Sequence, residues 1–400
     1  MKINTDPKKI EEFLTRGIEN IYPNADFLRK KLLSGEKQTI YWGIDPTGSS
    51  IHIGHAIPLR KLAEFQKLGH KVIFLIGDFT ATIGDPDKLS VRKPLTRKEV
   101  LNNAKDYKKQ ASQFINFGWG GAEFKYNSSW LRKMTLEKVL DLASKMTVDQ
   151  MMKRDMFQER VKQGRPVYIH EFMYPLMQGY DSVVLNVDGE IGGNDQIFNM
   201  LAGRDLVKES LGKEKFVIAT KLLVDPAGVK MGKTMGNMLS LKDTASDMFG
   251  KVMSWTDGMI LPGYELCTDV SLEEIEKIKQ EILSGANPRD LKVRLAKEIV
   301  AIYHSKEEAD KAEENFIKTF KDGRVPEKIE EKIVAKGSSL VIILSLSGVT
   351  KSNSEARRLI EEGAILNMDN SQKVTDPNFK LNEGGTFKIG KKRFLKIIVK

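Results

Sequence analysis

Apolar positions recur along the chain with a period that changes, and the changes divide it into three stretches. As far as about residue 245, apolar runs of strand length alternate with longer, one-faced runs. TIYWGI (39–44) predicts a strand, HAIPLRKLAEFQKLG (55–69) a helix, and KVIFLIG (71–77) a second buried strand. That order is a β–α–β unit and implies a parallel sheet. Gly69, just past the helix, fits a C-terminal cap, where a left-handed backbone is common.

From about 246 to 325 the helical period dominates. Ser271 and Glu274 predict a capping box at the start of SLEEIEKIKQEIL. In NPRDLKVRLAKEIVAIYH, Leu291, Leu295 and Ile299 stand at four-residue spacing and form one face. Pro288 falls in the first turn, where its missing N–H costs little. The charged, polar stretch that follows reads as a linker at 326–336. From 337 to Lys400, NSEARRLIEEGAILNM reads as a helix ending at Gly363 and then a strand, and GGTFKIGKKRFLKIIVK as a basic hairpin. The N-terminal MKINTDPKKIEEFLTRGIENIYP looks like a charged helix and lacks the apolar stretch of a secretory signal.

Composition narrows the function classes. With 40% hydrophobic and 30% charged residues the chain is globular, and its 400 residues suffice for two or three domains. It has no apolar run of about 18 residues, so no membrane span is expected. A single cysteine, Cys267, excludes a disulfide framework and a multi-cysteine zinc site, and a reducing cytosol is the expected compartment. Residues 337–400 hold 11 Lys and Arg against 6 Asp and Glu, so half of the net charge of +10 lies there. A basic surplus suits a polyanionic partner and equally serves solubility.

Two stretches carry candidate chemistry. In IHIGHAIPL, His52 and His55 open the predicted helix after the turn-rich GIDPTGSS. A metal site would need a third ligand, and this chain is poor in both Cys and His. A helix start instead attracts anions through its open N–H groups and dipole. Gly54 removes a side chain from that start, so a base or ribose can pack against the backbone. The crevice at the carboxyl ends of parallel strands is where such sheets bind ligands. In GVKMGKTMGN, Lys230 and Lys233 stand between glycines and are suited to clamping a departing phosphate. The spacing is not that of a Walker loop. Each stretch alone has a plain alternative, a core histidine pair in one case and solvated lysines in the other.

Together they resemble the class I aminoacyl-tRNA synthetases. HIGH at 52–55 matches one signature of that class letter for letter, and KMGKT at 230–234 resembles the second, KMSKS. YWGIDPTGSSIHIGH, IGDP at 83–86, YPLMQGYDSVVL at 174–185, IGGNDQIFN at 191–199 and SNSEARRLIEEGAI extend the likeness, specifically to the bacterial tyrosyl-tRNA synthetases, over nearly the whole chain.

The resemblance implies a Rossmann-type parallel-sheet catalytic domain over 1–245, an α-helical anticodon-side domain over 246–325, and a small α+β RNA-binding domain over 337–400. It implies activation of tyrosine by ATP, transfer to tRNA, and a cytoplasmic homodimer. Tyr41 and Asp181 would flank the substrate phenol; Asp85, Tyr174 and Gln178 would hold its ammonium group; Gln196 would reach the carboxylate. Asp195, with Gly54 and Gly193, would face ATP, and Asp45 and Asn127 would lie near the substrates. His52, His55, Lys230 and Lys233 would serve the phosphates, Mg²⁺ would accompany ATP with no protein-bound zinc, and Arg357 and Arg358 would meet tRNA. Independently, Tyr174, Gln178 and Asp181 fall on one helix face at i, i+4 and i+7, which an amphipathic core helix would also show.

The sequence departs from the family in three places. The lysine loop has glycine and threonine in place of two serines. GDPDKLSVRKPL is one residue shorter than the commoner form, which unsettles phosphate roles for Lys88 and Arg92. Trp42 stands where a smaller residue is frequent. The rival readings are a tryptophanyl-tRNA synthetase, a nucleotidyltransferase making a small adenylate, and a catalytically silent RNA-binding protein.

Overall fold

The computed structural model describes residues 2–85, 95–225, 238–321, 330–350, 352–370, 372–390 and 393–400. The chain forms two compact units, Met1–Ala309 and Asp310–Lys400. The first holds a six-stranded sheet made of β1 (Ile18–Tyr22), β2 (Thr39–Ile44), β3 (Lys71–Ile76), β4 (Glu123–Tyr126), β5 (Gly189–Gly193) and β6 (Phe216–Thr220). Their spatial order is β1-β6-β5-β2-β3-β4. All neighbours are parallel except the edge strand β1, which runs antiparallel to β6. The chain leaves β2 in one direction to build β3 and β4, then returns to build β5 and β6 on the other side. The switch point between β2 and β5 is therefore the expected ligand crevice.

Strand periodicity explains which residues reach that crevice. Ile40, Trp42 and Ile44 of β2 join Val72, Phe74 and Ile76 of β3 in the main core, with Leu59, Leu62 and Phe65 of the helix Ile53–Lys67 packed above them. Tyr41, Ile73 and Leu75 point to the opposite face and cluster with Val187. Trp42 stacks on Phe74 with centroids 5.3 Å apart. Its unusual size is thus absorbed by the core and not by the crevice. Each such large apolar side chain contributes about 1.5–3 kcal/mol on burial.

The helix Ile53–Lys67 ends where the sequence reading places its cap. Gly69 has φ +96, and a side chain there would lie 2.6 Å from the Lys2 carbonyl. The N-terminal stretch differs from the single helix expected. A helix covers only Pro7–Thr15, Gly17 turns the chain at φ +65, and Ile18–Tyr22 becomes the edge strand β1. Propensity at this edge yields to pairing with β6.

The helices Ala245–Met253, Ile260–Cys267, Leu272–Leu283 and Pro288–Tyr303 belong to the same compact unit as the sheet. Leu291, Leu295 and Ile299 are buried, as their spacing predicts. Ser271 accepts from the Glu274 N–H at 3.2 Å, while the Glu274 carboxylate pairs with Lys277 at 3.1 Å. Arg16 closes the C-terminus of Ile260–Cys267 by donating to the carbonyls of Tyr264, Glu265, Thr268 and Val270. The Tyr264 and Glu265 carbonyls belong to the last turn of that helix, where no further helical N–H meets them.

The second unit packs the helices Leu340–Leu346 and Asn353–Glu361 on a five-stranded sheet that ends in the predicted hairpin, Gly385–Ile389 against Arg393–Val399. Gly363, with φ +64, follows the second helix. Ala356, Leu359 and Ile360 are buried, whereas Arg357 and Arg358 are exposed.

Candidate active site

The histidine stretch leaves β2 and opens the helix Ile53–Lys67. His52 is the N-cap, its Nδ1 accepting from the His55 N–H at 3.4 Å. The two imidazoles stack with centroids 3.6 Å apart. Gly54 makes room for this stack, since a Cβ there would sit 3.2 Å from the His52 ring. The Ile53 N–H donates to the Leu239 carbonyl (2.9 Å), and the Leu241 N–H donates to the Ile51 carbonyl (3.0 Å). This short antiparallel bridge joins the histidine turn to the segment just after the lysine motif. It also occupies the Ile53 donor, so the helix start offers fewer open N–H groups to an anion than its sequence suggests.

The helix Ile169–Leu185 presents Tyr174, Gln178 and Asp181 to the crevice. Asp181 is 3% exposed. It accepts from Trp130 Nε1 at 2.7 Å and Asn127 Nδ2 at 3.2 Å. Burial pushes its carboxyl pKa up, with Glu190 and Asp45 adding to the rise, while the Trp130 and Asn127 bonds oppose it. A carboxylate has about four acceptor positions, so room remains for another donor. Tyr41 is fully buried, with its hydroxyl 3.0 Å from Ser182 Oγ. Desolvation first, then Glu190 and Asp181, raise its phenol above the ordinary range. The Tyr41 hydroxyl is therefore neutral at physiological pH and able to donate or accept.

Further along the crevice, Tyr174 donates to Asp45 Oδ2 at 2.9 Å, and Thr80 donates to Asp45 Oδ1 at 2.7 Å. Gly77 permits this approach, since a Cβ there would lie 2.0 Å from the Asp45 carboxylate. Asp85 accepts from Gln196 Nε2 (2.8 Å), Asn199 Nδ2 (3.2 Å) and the Arg154 guanidinium (3.4 Å). Asp195 is exposed in the turn after β5. Gly193 accommodates it, because a Cβ would stand 2.5 Å from its Oδ1.

Residues 33–321 match the family described as tRNA synthetases class I (W and Y). The chain belongs to this family. It is 45% identical over 98% of both chains to a tyrosine–tRNA ligase of Carboxydothermus hydrogenoformans, and 40% identical to that of Francisella tularensis over 98% of this chain and 99% of the relative. Among solved structures, a C-terminally truncated mitochondrial tyrosyl-tRNA synthetase of Aspergillus nidulans superposes with a TM-score of 0.64 at 25% identity, covering 78% of this chain and 94% of that one.

In this class I synthetase the crevice residues fall into three hydrogen-bonded groups: Tyr41 and Gln178 through Ser182 and Glu190, Asp181, Asp45 and Tyr174 through Asn127 and Thr80, and Asp85 with Gln196. Tyr174 bonds to Asp45, Asp85 to Gln196 and Gln178 to Glu190, so the residues expected around one ammonium group are divided among the three groups. His52 and His55 sit together at the helix start. Lys230, Lys233, Lys88 and Arg92 lie outside the described residues. Trp130, Arg154, Ser182, Glu190, Asn199 and Lys215 escaped the sequence reading. Glu190 had a visible signal, a carboxylate inside the otherwise apolar strand GEIGG. Lys215, in KEKFVIAT, reads as one more surface lysine.

Proposed function

We propose that the chain is a tyrosine–tRNA ligase that forms tyrosyl-adenylate from tyrosine and ATP and then transfers the tyrosyl group to the 3′-terminal ribose of its tRNA. The observation that carries this reading is the buried acceptor and hydroxyl pair at the end of the crevice. Asp181 precedes Ser182 in the chain, Ser182 Oγ lies 3.0 Å from the Tyr41 hydroxyl, and a phenylalanine ring would offer neither polar group the further hydrogen bond that a phenol supplies. Tyrosyl-tRNA synthetases are themselves the established example of that discrimination.

No general base is required in the first step, because an amino-acid carboxylate is ionised at neutral pH. It attacks the α-phosphorus in line, forming the mixed anhydride as the bond to pyrophosphate breaks. Catalysis is then mainly positioning and charge stabilisation. Gln178, Asp85 and Tyr174 orient the amino end, Gln196 the carboxylate, and Asp195 the ribose. His52 and His55 donate to the α-phosphate region, and Lys230 and Lys233 stabilise the leaving pyrophosphate. Among the described residues no three Asp, Glu, His or Cys side chains converge as a metal site. Mg²⁺ would enter with ATP and would neutralise charge on its phosphates.

Arg357 and Arg358, exposed on one face of their helix, are suited to RNA phosphates. A homodimer is supported by apolar side chains exposed between residues 136 and 169: Leu136, Leu140, Val148, Val161 and Ile169. No helix among the described residues is long and apolar enough to cross a membrane, and a tRNA substrate is in keeping with a cytoplasmic location.

The test is ATP–pyrophosphate exchange with each amino acid in turn. Exchange with tyrosine alone is expected. Exchange with tryptophan only, or none with tyrosine at saturating Mg·ATP, overturns the reading.

A further inference from the structure

Behind the crevice lies a buried ion pair that takes no part in the chemistry above. Lys215, immediately before β6, is 0% exposed, and Glu190 of β5 is 2% exposed. The Lys215 ammonium donates to the Glu190 carboxylate, to Ser182 Oγ (2.8 Å) and to the Met200 carbonyl (3.2 Å). All three of its protons are thereby used. Glu190 Oε1 accepts in turn from Gln178 Nε2 at 3.0 Å, and Ser182 Oγ lies 3.0 Å from the Tyr41 hydroxyl. The fold makes space for this arrangement at Gly203, where a Cβ would lie 2.7 Å from Lys215 Nζ and 3.0 Å from Ser182 Oγ.

Two groups of fixed polarity dictate the rest of the network. A carboxylate only accepts, so the Gln178 amide must turn its NH₂ toward Glu190. Its carbonyl oxygen Oε1 is then the atom available to accept from a substrate ammonium. An ammonium only donates, so Ser182 Oγ accepts from Lys215. The serine proton then has two acceptors, Tyr41 at 3.0 Å and Glu190 Oε2 at 3.4 Å. The shorter contact directs it to the Tyr41 oxygen and leaves the phenol's own proton for another acceptor, such as the Gln178 backbone carbonyl at 3.4 Å. Buried ion pairs are often matched or exceeded in stability by apolar residues of similar volume, so stability alone does not account for this one.

We propose that Lys215 and Glu190 are positioning residues for tyrosine selection, fixing the amide polarity of Gln178 and the hydroxyl direction of Tyr41 from behind the pocket. The proposal rests on the tyrosine–tRNA ligase reading. If that reading fails, the unmodified enzyme shows no tyrosine-dependent exchange, before any variant is made.

The test compares Glu190→Gln, Glu190→Asp, Ser182→Ala and the doubly neutral Glu190→Gln/Lys215→Met in the full-length chain. Glu190→Gln and the double variant should raise the tyrosine KM about tenfold or more, with kcat within about threefold and the ATP KM unchanged, on the expectation of about 1.4 kcal/mol per factor of ten. Glu190→Asp keeps an acceptor-only partner and should recover most of the affinity. Ser182→Ala cuts only the link to Tyr41 and should lower the preference for tyrosine over phenylalanine. It remains informative if the charge variants do not fold. A folded double variant with wild-type tyrosine KM and phenylalanine rejection overturns the proposal. So do equal rises in the KM values for tyrosine and ATP, or a Ser182→Ala enzyme of unchanged selectivity.

Discussion

Gly179→Ala tests whether the spacing of two helices sets the tyrosine side of the crevice. Gly179 lies in the helix Ile169–Leu185, two residues from Asp181, and faces Gly203 of the helix Ile197–Leu211. An added Cβ would stand 2.7 Å from Leu206 Cδ1 and 3.1 Å from both Gly203 Cα and Gly203 N. The leucine methyl can rotate away, but the helical backbone of Gly203 cannot. Restoring ordinary contact near about 3.5 Å therefore needs a separation of roughly 0.4 Å. Overpacking of this kind costs about 1–3 kcal/mol, and alanine returns about 1 kcal/mol of helix propensity, so the net loss of stability is about 0–2 kcal/mol.

The functional cost should be larger in proportion. Asp181, Gln178 and Tyr174 reach Trp130, Glu190 and Asp45 at 2.7, 3.0 and 2.9 Å. A shift of that size carries the longer of these bonds toward the limit of useful geometry. Misplacement by about 1 Å can cost about a hundredfold, so a loss of about tenfold in kcat/KM for tyrosine is expected, with the ATP KM unchanged. Pyrophosphate exchange at varied tyrosine, read beside a thermal melt, measures both. A stable enzyme with wild-type kcat/KM for tyrosine would refute the argument, as would a loss shared equally by ATP.

Other outcomes follow from individual contacts. Asp181→Ala removes the acceptor of Trp130 and Asn127 and should abolish tyrosine activation; an intact exchange rate would show that the pocket is misassigned. Arg160→Met strands the buried Glu171 carboxylate, which now accepts from Arg160 Nη1 at 2.6 Å and Nη2 at 2.9 Å, and should cost about 3–5 kcal/mol in denaturant titration. His70 is buried against Phe65, its Nδ1 accepting from the Gln38 N–H, and desolvation followed by Lys37 lowers its pKa to about 4. The fold holds the neutral ring, so its contribution is complete above the unfolded value near about 6.5 and is lost as pH falls toward 4. His70→Gln should flatten that part of the stability–pH curve. Lys230→Ala and Lys233→Ala should each lower the rate of exchange about a hundredfold or more with little change in tyrosine KM.

Local pattern reached the elements around the crevice because each is short and sharply periodic. TIYWGI reads as a strand since every second residue meets the same core, and the same alternation puts Tyr41 on the ligand side and Trp42 away from it. The i, i+4, i+7 placement of Tyr174, Gln178 and Asp181 was likewise visible. What stayed hidden depends on contacts between distant stretches. Nothing near Lys215 in the chain announces that Glu190 will neutralise it, and nothing near Asp85 announces Arg154. The strand at Ile18–Tyr22 was missed for the same reason, since its pairing partner is β6. The Ser271 cap was foreseen, but Glu274 has a lysine in reach and turns to it.

The bridge between Ile51–Ile53 and Leu239–Leu241 has a consequence for the order in which the enzyme is made. On the ribosome the histidine turn emerges early, yet the Ile51 carbonyl and Ile53 N–H find their partners only after residue 241 has been synthesised. Strand β2 also waits for β5 to cover its second edge. The nascent chain thus carries an unfinished histidine turn through nearly half of its synthesis. Non-local closures of this kind fold slowly, so competence should arrive late and abruptly, when the segment beyond the lysine motif docks.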